Sequence, residues 1–483
     1  WKRPRRGGMS HYFWNLLLVS EWLIRLIMLP IVVLRIERPA TCLAWLTLLF
    51  FEPWIGLSLY LLVGENRLGR RRRARRRHRR SEFAQADLPN VESQHIVDPR
   101  SSSEVMIHLE EEQGGLPVVS GNELEYVADT ADAIDKLVAD IDAARAHVHL
   151  LFYIYHPDSV GRRVGAALLR ARQRGVVCRV LVDGVGSLRM LRGYAGELRR
   201  GGVQVIAALP VRLWRIPFSR LDLRNHRKVA IIDGRVAFVG SQNITEETYG
   251  KRRVGAWRDL GARIHGPAVR QLQEIFLEDW YHETDELLDD ASLMPACAPS
   301  GNVTLQVVPS GPDLPTAHLQ DLIVRSIFLA KSRVVLTTPY FVPGEEMITA
   351  LRLAVQRGVR VDILVPQHSD HWLVDAAGRF YLYYLLRHGV NVYMHQKGLL
   401  HAKTLTVDHS LGMLGSANFD IRSFDLNLEL NLLLYSAQAV SELHALQARY
   451  LAESRPASLE DPAVQRFGGR LAMNLAKLAS PLL

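Results

Sequence analysis

The residues best suited to chemistry occur in this chain as two matched sets. Both sets follow one spacing: His-x-Lys, four residues, Asp, six residues, then Gly-Ser-x-Asn. A single His-x-Lys carries little information, but a pattern of this length that occurs twice predicts one site built from both copies. The sets are His226, Lys228, Asp233, Ser241 and Asn243 in the first copy, and His401, Lys403, Asp408, Ser416 and Asn418 in the second.

These side chains favour chemistry on a phosphodiester. Two imidazoles, two ammonium groups, two hydroxyls and two carboxamides form an anion-binding site, without a carboxylate cluster that would bind a metal. One histidine can attack phosphorus while the other protonates the leaving alcohol. We expect the two lysines to neutralise the phosphate, and we expect four further side chains to bind it: Ser241, Asn243, Ser416 and Asn418.

The two motif aspartates admit two roles. We include Asp233 and Asp408 in the predicted catalytic set because they belong to the repeated pattern. Asp-Gly at 233–234 is also a turn signal, which favours a turn and scaffold role for these carboxylates. The motif glycines, Gly240 and Gly415, are expected to permit a close approach of the backbone.

The elements around both motifs are duplicated as well. KVAII and KTLTV begin at the motif lysines and are predicted strands, so that His and Lys at i and i+2 project together into one cleft. Each motif follows a strand, an amphipathic helix and a second strand, which is a βαβ unit with buried parallel strands. The duplication predicts an α/β fold of two halves with the active site at their interface. The strands are expected at 147–155, 177–183, 333–341 and 360–366, with a helix ahead of each unit at 133–146 and 319–332.

Residues 1–66 are predicted to form a two-helix transmembrane hairpin. The apolar stretches 11–34 and 39–63 are each long enough to cross the roughly 30 Å of a hydrocarbon core. Glu21 and Arg25 in the first stretch are spaced i,i+4 and can pair on one helical face. An interfacial or re-entrant helix is the alternative for the first stretch, and a cleaved signal peptide is disfavoured because two apolar segments follow in tandem.

A polybasic segment and a polar linker follow at residues 67–115. Nine arginines lie between Arg70 and Arg80, so most of the net charge of +9 is local. This distribution argues against a general nucleic-acid binder. By the positive-inside rule, the run places everything after it in the cytoplasm, and it would attract anionic headgroups at about 1 kcal/mol per basic residue. A solvated linker without a lipid role is the alternative.

The two halves are expected at residues 116–298 and 299–456, followed by a basic amphipathic tail at 457–483. The tail either lies on a membrane surface or packs on the body of the protein. The cysteines are too few and too widely spaced for a disulfide framework or a zinc site; they are Cys42, Cys178 and Cys297.

The twin motifs resemble those of the phospholipase D superfamily, and their surroundings resemble bacterial cardiolipin synthases. The resemblance covers nearly the whole chain. It implies the duplicated α/β fold, a covalent phosphohistidine intermediate, no metal or other cofactor, and anionic phospholipids, above all phosphatidylglycerol, as substrates. It also implies a multi-pass protein of the bacterial inner (cytoplasmic) membrane. The segments that carry it are RNHRKVAIIDG (224–234), GSQNITEETY (240–249), TTPYFVPGEEM (337–347) and GSANFDIRSF (415–424).

The resemblance also implies roles for individual residues. His226 is the expected nucleophile, and His401 is the expected general acid and then base. The family places a carboxylate on the strand after each motif to orient a histidine, and Asp259 and Glu429 match these positions. Leu151 is a departure, since many relatives carry Glu there, and it puts only the role of that carboxylate in doubt.

The activity implied by the resemblance is phosphatidyl transfer between two phosphatidylglycerols, giving cardiolipin and glycerol. The motif itself does not distinguish a lipid hydroxyl from water, so a membrane-bound phospholipase D that releases phosphatidic acid is the alternative. A nuclease is disfavoured by the membrane spans and the local charge, and a non-catalytic scaffold by the retention of every His and Lys. Phosphatidylethanolamine as donor and a homo-oligomeric state are left open.

Overall fold

The computed structural model describes residues 8–36, 39–64, 116–211, 220, 222–250, 254–312 and 318–482. The predicted polybasic run and linker lie outside these residues. The chain divides into two compact units, one of residues Trp1–Ala74 with Val211–Leu223 and one of Arg75–Pro210 with Arg224–Leu483.

The smaller unit contains three helices: α1 (Gly8–Arg35), α2 (Pro39–Phe51) and α3 (Pro53–Val63). The segment Tyr12–Arg35 of α1 is long and apolar enough to cross a membrane. The predicted second helix, 39–63, is two shorter helices, since α2 and α3 have 13 and 11 residues; that this stretch crosses a membrane stays a prediction. The helix is interrupted at Glu52, and Pro53, which lacks a backbone N–H, is the first residue of the next one.

The three helices pack on one another through a small apolar core. Val32, Leu49 and Tyr60 are buried in it. Arg25 and Glu21 pair at 3.3 Å, which confirms the predicted i,i+4 contact. The Arg25 Nε also donates to the Phe50 carbonyl at 2.9 Å, so the polar atoms of α1 find partners within its own unit.

The first half of the larger unit has the predicted order of elements. They are β1 (Val119–Val127), α4 (Thr130–Ala143), β2 (His147–Phe152), α5 (Ser159–Gln173), β3 (Val177–Asp183), α6 (Leu188–Arg192), α7 (Tyr194–Arg200), β4 (Gln204–Ala208), β5 (Lys228–Ile232), β6 (Val236–Gly240), β7 (Trp257–Arg258), β8 (Gly261–His265) and α8 (Ala268–Thr284). The predicted βαβ unit is β2, α5 and β3, and α4 is the helix expected ahead of it.

The second half repeats this order and then continues into the tail. Its elements are β9 (Val303–Ser310), α9 (His318–Leu329), β10 (Arg333–Thr337), β11 (Phe341–Val342), α10 (Glu345–Gln356), β12 (Arg360–Pro366), α11 (Trp372–Arg387), β13 (Asn391–His395), β14 (Leu399–Leu400), β15 (Thr404–Val407), β16 (Leu411–Gly415), β17 (Phe419–Asp420), α12 (Ile421–Asp425), β18 (Glu429–Leu434), α13 (Ala437–Ala452) and β19 (Ser454–Pro456). The tail contains α14 (Pro462–Gln465), α15 (Phe467–Ala476) and a 3₁₀ helix, Lys477–Leu482.

Local signals in the sequence set the ends of these helices. The Asp129 carboxylate accepts hydrogen bonds from the backbone N–H groups of Ala131 and Asp132 at the start of α4. The Asp158 carboxylate does the same for Gly161 at the start of α5. Capping satisfies N–H groups that have no partner in the first helical turn, and so fixes where each helix begins.

Fifteen of the described strands form one continuous sheet across the two halves, and β11 with β17 and β14 with β7 form two small sheets beside it. The order of the large sheet is β19-β13-β12-β10-β15-β16-β18-β9-β1-β8-β6-β5-β2-β3-β4. β1 and β9 pair antiparallel at its centre, with Val119 opposite Leu305. Read outward from this pair, the two arms have equivalent strands in the same order, and this arrangement confirms the predicted duplication.

Helices cover the sheet, and several strands on either side of the central β1–β9 pair are buried on both faces. Every residue of β2, β5, β15, β16 and β18 is buried. Leu151, where relatives are expected to carry Glu, is a core side chain on β2 and packs with Val229 and Ile231 of β5. The apolar residue thus serves packing at this position.

Candidate active site

The two motif histidines are positioned by backbone hydrogen bonds that cross between the halves. His226 donates its N–H to the Leu428 carbonyl at 2.9 Å, and His401 donates its N–H to the Arg258 carbonyl at 2.8 Å. The acceptor in each case is the residue just before the expected orienting carboxylate, Glu429 or Asp259. Each motif is therefore tied to the other half at the position that brings a carboxylate to its imidazole.

The carboxylates bind the histidine of the opposite half. Both oxygens of Glu429 lie 2.9 Å from His226 Nδ1. Asp259 Oδ1 lies 2.6 Å from His401 Nδ1. Since an ionised carboxylate only accepts, each Nδ1 carries the hydrogen, and each Nε2 is left for the reaction.

The motif serines hold these carboxylates. Ser241 Oγ donates to Asp259 Oδ1 at 2.6 Å, and Ser416 Oγ donates to Glu429 Oε2 at 2.5 Å. Each hydroxyl also accepts a backbone N–H, from Leu260 at 3.0 Å in the first half. We therefore correct the expectation that the serines bind the substrate phosphate, because their hydroxyl groups are buried and engaged with the orienting carboxylates.

The motif lysines are buried beside the histidines. Lys228 Nζ donates to the His226 carbonyl and Lys403 Nζ to the His401 carbonyl, both at 2.6 Å. An ammonium group has three hydrogens, so each lysine retains donors for a phosphate oxygen. Asn243 Oδ1 accepts the Ile154 N–H at 3.0 Å, which leaves its amide nitrogen as a donor for the same anion.

Burial and charge set the protonation of the site. Burial lowers the pKa of His226 to about 4, with Lys228 and Lys403 adding to this effect and Glu429 opposing it. Burial and Lys403 lower the pKa of His401 to about 4 against the effect of Asp259. Both imidazoles are therefore neutral near pH 7 in the free protein, and Lys403 of the second motif lies close enough to His226 of the first to lower its pKa.

The pKa shifts favour the charged form of Asp259 and the neutral forms of the two lysines. Burial alone would raise the pKa of Asp259, but His401 and Lys403 outweigh burial and lower this pKa to about 2. Burial lowers the pKa of Lys403 to about 7, and it lowers the pKa of Lys228 well below its usual range. A bound phosphodiester anion would favour the charged forms of both lysines.

The motif glycines permit the close approach that the sequence predicts. A Cβ on Gly240 would lie 2.5 Å from the Leu260 carbonyl oxygen, and one on Gly415 would lie 2.5 Å from the Leu430 carbonyl oxygen. These contacts confirm the expected role, because no side chain fits between the strand that ends at the glycine and the strand that carries the carboxylate.

The structure does not bring the motif aspartates to the histidines. Asp233 accepts the backbone N–H groups of Arg145, Ala146 and His147 at the opposite end of β5. Asp408 makes the equivalent contacts with 331–333 ahead of β10. We therefore correct the inclusion of both in the catalytic set: they are turn residues that hold the first residues of a neighbouring strand.

Asp408→Ala is expected to destabilise the protein without changing its chemistry. The substitution removes the acceptor for three backbone N–H groups and puts alanine at a φ of 51°, a left-handed conformation. The loss should be about 2 kcal/mol, and Asp408→Asn should lose less because asparagine keeps one acceptor and tolerates this φ. Thermal unfolding and turnover of the purified variants test this; a large fall in turnover at full stability would contradict the scaffold role.

Sequence reasoning missed the aromatic residues beside the histidines. The Tyr153 ring lies 4.7 Å from the His226 ring, and the Trp257 ring lies 4.4 Å from the His401 ring, centroid to centroid. Tyr340 donates its hydroxyl to Asp370 at 2.6 Å near the same cleft. The sequence offers one signal for these residues. Tyr153 and Tyr340 follow the parallel strands β2 and β10, whose ends commonly line a site, and Trp257 lies two residues before Asp259.

Two further features concern ions and charge. No group of three or more His, Cys, Asp or Glu side chains suited to a metal occurs in the part of the chain that the structure describes. The metal-independent chemistry stays a prediction.

Asp420, which accepts a hydrogen bond from the Asn418 side chain, has a pKa raised by burial to about 6.

Comparison with known proteins agrees with this geometry. The chain matches the family described as "Cardiolipin synthase, PLD-like domain" over residues 137–280 and 323–450, one segment in each half. It is 35% identical over 478 residues to cardiolipin synthase A of Pectobacterium carotovorum subsp. carotovorum (strain PC1), covering 97% of this chain and 98% of the relative. It is 36% identical over 424 residues to cardiolipin synthase A of Yersinia pestis bv. Antiqua (strain Angola), covering 86% and 87%.

A solved structure shares the fold at low sequence identity. Phosphatidylserine synthase of Haemophilus influenzae Rd KW20 has a TM-score of 0.58 and 14% identity, covering 78% of this chain and 98% of that one. From its sequence matches in both halves and along nearly its full length, the chain belongs to the cardiolipin synthase family of phospholipase D-like proteins.

Proposed function

We propose that the protein is a phosphatidyltransferase that makes cardiolipin and glycerol from two phosphatidylglycerols. The observation that carries this proposal is the pair of crossed contacts, Glu429 with His226 and Asp259 with His401. They leave two Nε2 atoms for a phosphodiester bound between two buried lysines. The family relationship supports phospholipids as the substrates.

The first step forms a bond to His226. With its Nδ1 hydrogen donated to Glu429, neutral His226 has its lone pair on Nε2, and this atom attacks the phosphorus of the donor lipid. The bond from phosphorus to the glycerol oxygen breaks. The bound phosphodiester anion favours the protonated form of His401, and the Nε2–H of this imidazolium gives its proton to the glycerol oxygen, so glycerol leaves as a neutral alcohol.

The second step transfers the phosphatidyl group to the acceptor. Neutral His401 takes the proton of the primary hydroxyl of a second phosphatidylglycerol, and that oxygen attacks the phosphorus. The bond to His226 breaks and cardiolipin forms. The short 2.6 Å contact with ionised Asp259 supports His401 as the residue that carries the positive charge.

Product analysis separates transfer from hydrolysis. The purified protein in vesicles that contain phosphatidylglycerol should yield cardiolipin and glycerol, and mass spectrometry identifies both products. Phosphatidic acid as the sole lipid product would overturn the proposal in favour of a phospholipase D. Vesicles that contain both phosphatidylethanolamine and phosphatidylglycerol test whether phosphatidylethanolamine serves as donor, because ethanolamine would then be released beside glycerol.

The first step should tolerate mild acid. His226 must be neutral to attack, and its pKa lies at about 4 rather than at the ordinary 6.5 of histidine. Glycerol release also needs a proton from His401, so the limb is read with a phosphatidyl nitrophenyl ester, whose nitrophenolate leaves without one. In kcat/KM for nitrophenolate release, the acid limb should lie near pH 4, with little loss of rate between about pH 7 and 5.5. Stopped assays of nitrophenolate across this range test it, and an acid limb centred near 6.5 would contradict the role of burial.

The membrane arrangement is proposed on the same basis. We infer a multi-pass protein of the bacterial inner membrane in which α1 and the α2–α3 stretch cross the bilayer as a hairpin and the body lies on the cytoplasmic side. Its partners are anionic phospholipids rather than nucleic acid, and a homo-oligomer is compatible with the site. Protease protection of the body in oriented membrane vesicles tests the side of the membrane.

A further inference from the structure

The C-terminal tail helix α15 has apolar side chains on two opposite faces. Met473 and Ala476 are buried against the body, beside Tyr383 of α11 and Val342 of β11. Of the two alternatives left open for the tail, packing on the body is thus observed. This packing uses only one face of the helix.

The other face of the tail helix is apolar and exposed. Phe467 is 80% exposed, Leu471 46%, Leu475 58% and Leu478 71%. Their spacing of i, i+4, i+8 and i+11 places them in one stripe, turned away from Met473 and Ala476. Trp372, 70% exposed, begins α11, the helix on which the tail packs. We call these five residues the tail patch.

The stripe is bordered by basic residues. Arg466 and Arg470 have the spacing i, i+4 and are exposed, so they share the flank next to the apolar stripe. Lys477 follows on the same side, with its Nζ 3.9 Å from the centre of the Phe380 ring of α11. Residues 462–483 contain no Asp or Glu. An exposed apolar stripe with a purely basic flank is typical of a helix that lies in the interface of an anionic membrane.

The tail patch lies close to the rim of the active-site cleft. Trp372 follows Asp370 by two residues, and Asp370 accepts the Tyr340 hydroxyl. Val342, which packs against the tail, pairs in register with Asp420, two residues after the motif Asn418. The elements that hold the tail are therefore also elements of the cleft.

We propose that the tail patch docks on the surface of an anionic bilayer and holds the cleft at the level of the lipid headgroups. This inference rests on the proposed function, since only a lipid substrate needs such a position. A second copy of the chain is a less suitable occupant, because a two-fold contact would bring the basic flanks together.

The test compares lipid in a bilayer with lipid in solution. Phe467→Ser, Leu471→Ser and Leu475→Ser are combined in the full-length protein, with Phe328→Ser as the matched control. Phe328 is also an exposed aromatic, but it lies at the end of α9, near the strand ends that Asp408 holds. The triple variant should lose about tenfold or more in kcat/KM on phosphatidylglycerol vesicles, because the docking contact is apolar. On monomeric short-chain phosphatidylglycerol its kcat/KM should stay within about twofold.

The outcomes separate this proposal from the proposed function. Equal losses on both substrates, vesicle activity matching the Phe328 control, or a change of oligomeric size in light scattering would each overturn docking on lipid. A wild-type protein that makes no cardiolipin from either substrate would overturn the function instead.

Docking of the tail patch on the bilayer can also be measured without an activity assay. Hydrogen exchange of residues 467–478 should slow when the wild-type protein sits in bilayers that contain phosphatidylglycerol, compared with phosphatidylcholine alone. Conversion to cardiolipin keeps the bilayer anionic, so turnover does not remove the signal. The same exchange rate in both bilayers would overturn docking on an anionic surface.

Discussion

Replacing His226 by alanine should reduce cardiolipin formation by about 10⁴-fold or more and remove the covalent intermediate. The variant lacks the Nε2 that bonds to phosphorus, and no neighbouring group can take its place without moving a buried lysine or carboxylate. Trapping of radiolabelled phosphatidyl groups on acid-quenched protein measures the intermediate directly. A labelled protein of undiminished yield in this variant would show that another residue is the nucleophile.

A lipid with an activated leaving group distinguishes His226 from His401. A phosphatidyl nitrophenyl ester releases its nitrophenolate without needing a proton. His401→Ala should therefore give a burst of about one nitrophenolate per enzyme and then stall, because no base deprotonates the acceptor. His226→Ala should give no burst. The opposite pattern would exchange the roles of the two histidines.

Glu429→Gln should lower the rate of phosphoenzyme formation by about 10³-fold, although Glu429 lies in the half of the chain opposite to His226. Glu429 holds the hydrogen of His226 on Nδ1. A glutamine amide can donate to Nδ1 instead, which favours the tautomer with its hydrogen on Nε2 and leaves no lone pair for attack. The effect should persist with the nitrophenyl ester, because nucleophilic attack remains the impaired event.

Asp259→Asn is the matched control for this assignment. Its carboxylate contacts His401, so with the nitrophenyl ester the burst should stay within about tenfold of the wild-type rate, while breakdown of the intermediate slows. Thermal unfolding of both variants excludes a general loss of structure. If Asp259→Asn removes the burst and Glu429→Gln spares it, the carboxylates serve the histidines in the reverse order.

Much of the fold follows from patterns between residues that are close in the chain. The short apolar run KVAII predicts strand β5, and the period of 3.6 residues predicts helix α5; both patterns reflect local geometry. Hydropathy alone does not show whether an apolar stretch forms one helix. Residues 39–63 are one apolar stretch, but they form two helices, and Pro53 is the first residue of the second one.

The motif identified reactive side chains better than supporting ones. Asp233 and Ser241 recur at the same distance from the histidine in both copies of the motif. Spacing alone therefore cannot separate residues that form turns or position a histidine from residues that contact the substrate. Their roles depend on contacts: Asp233 binds backbone N–H groups near His147, and Ser241 binds Asp259. These contacts are a property of the folded body.

By itself, the sequence determined that two His-Lys motifs of equal spacing lie on a duplicated α/β frame, and it predicted that they form one phosphodiester site. Only the tertiary structure decided which carboxylate serves which histidine. His226 and Glu429 are 203 residues apart, and His401 and Asp259 are 142 apart. Local periodicity contains no information about such pairs. The crossing arises because β1 and β9 join the two halves edge to edge, so that each half completes the active site of the other.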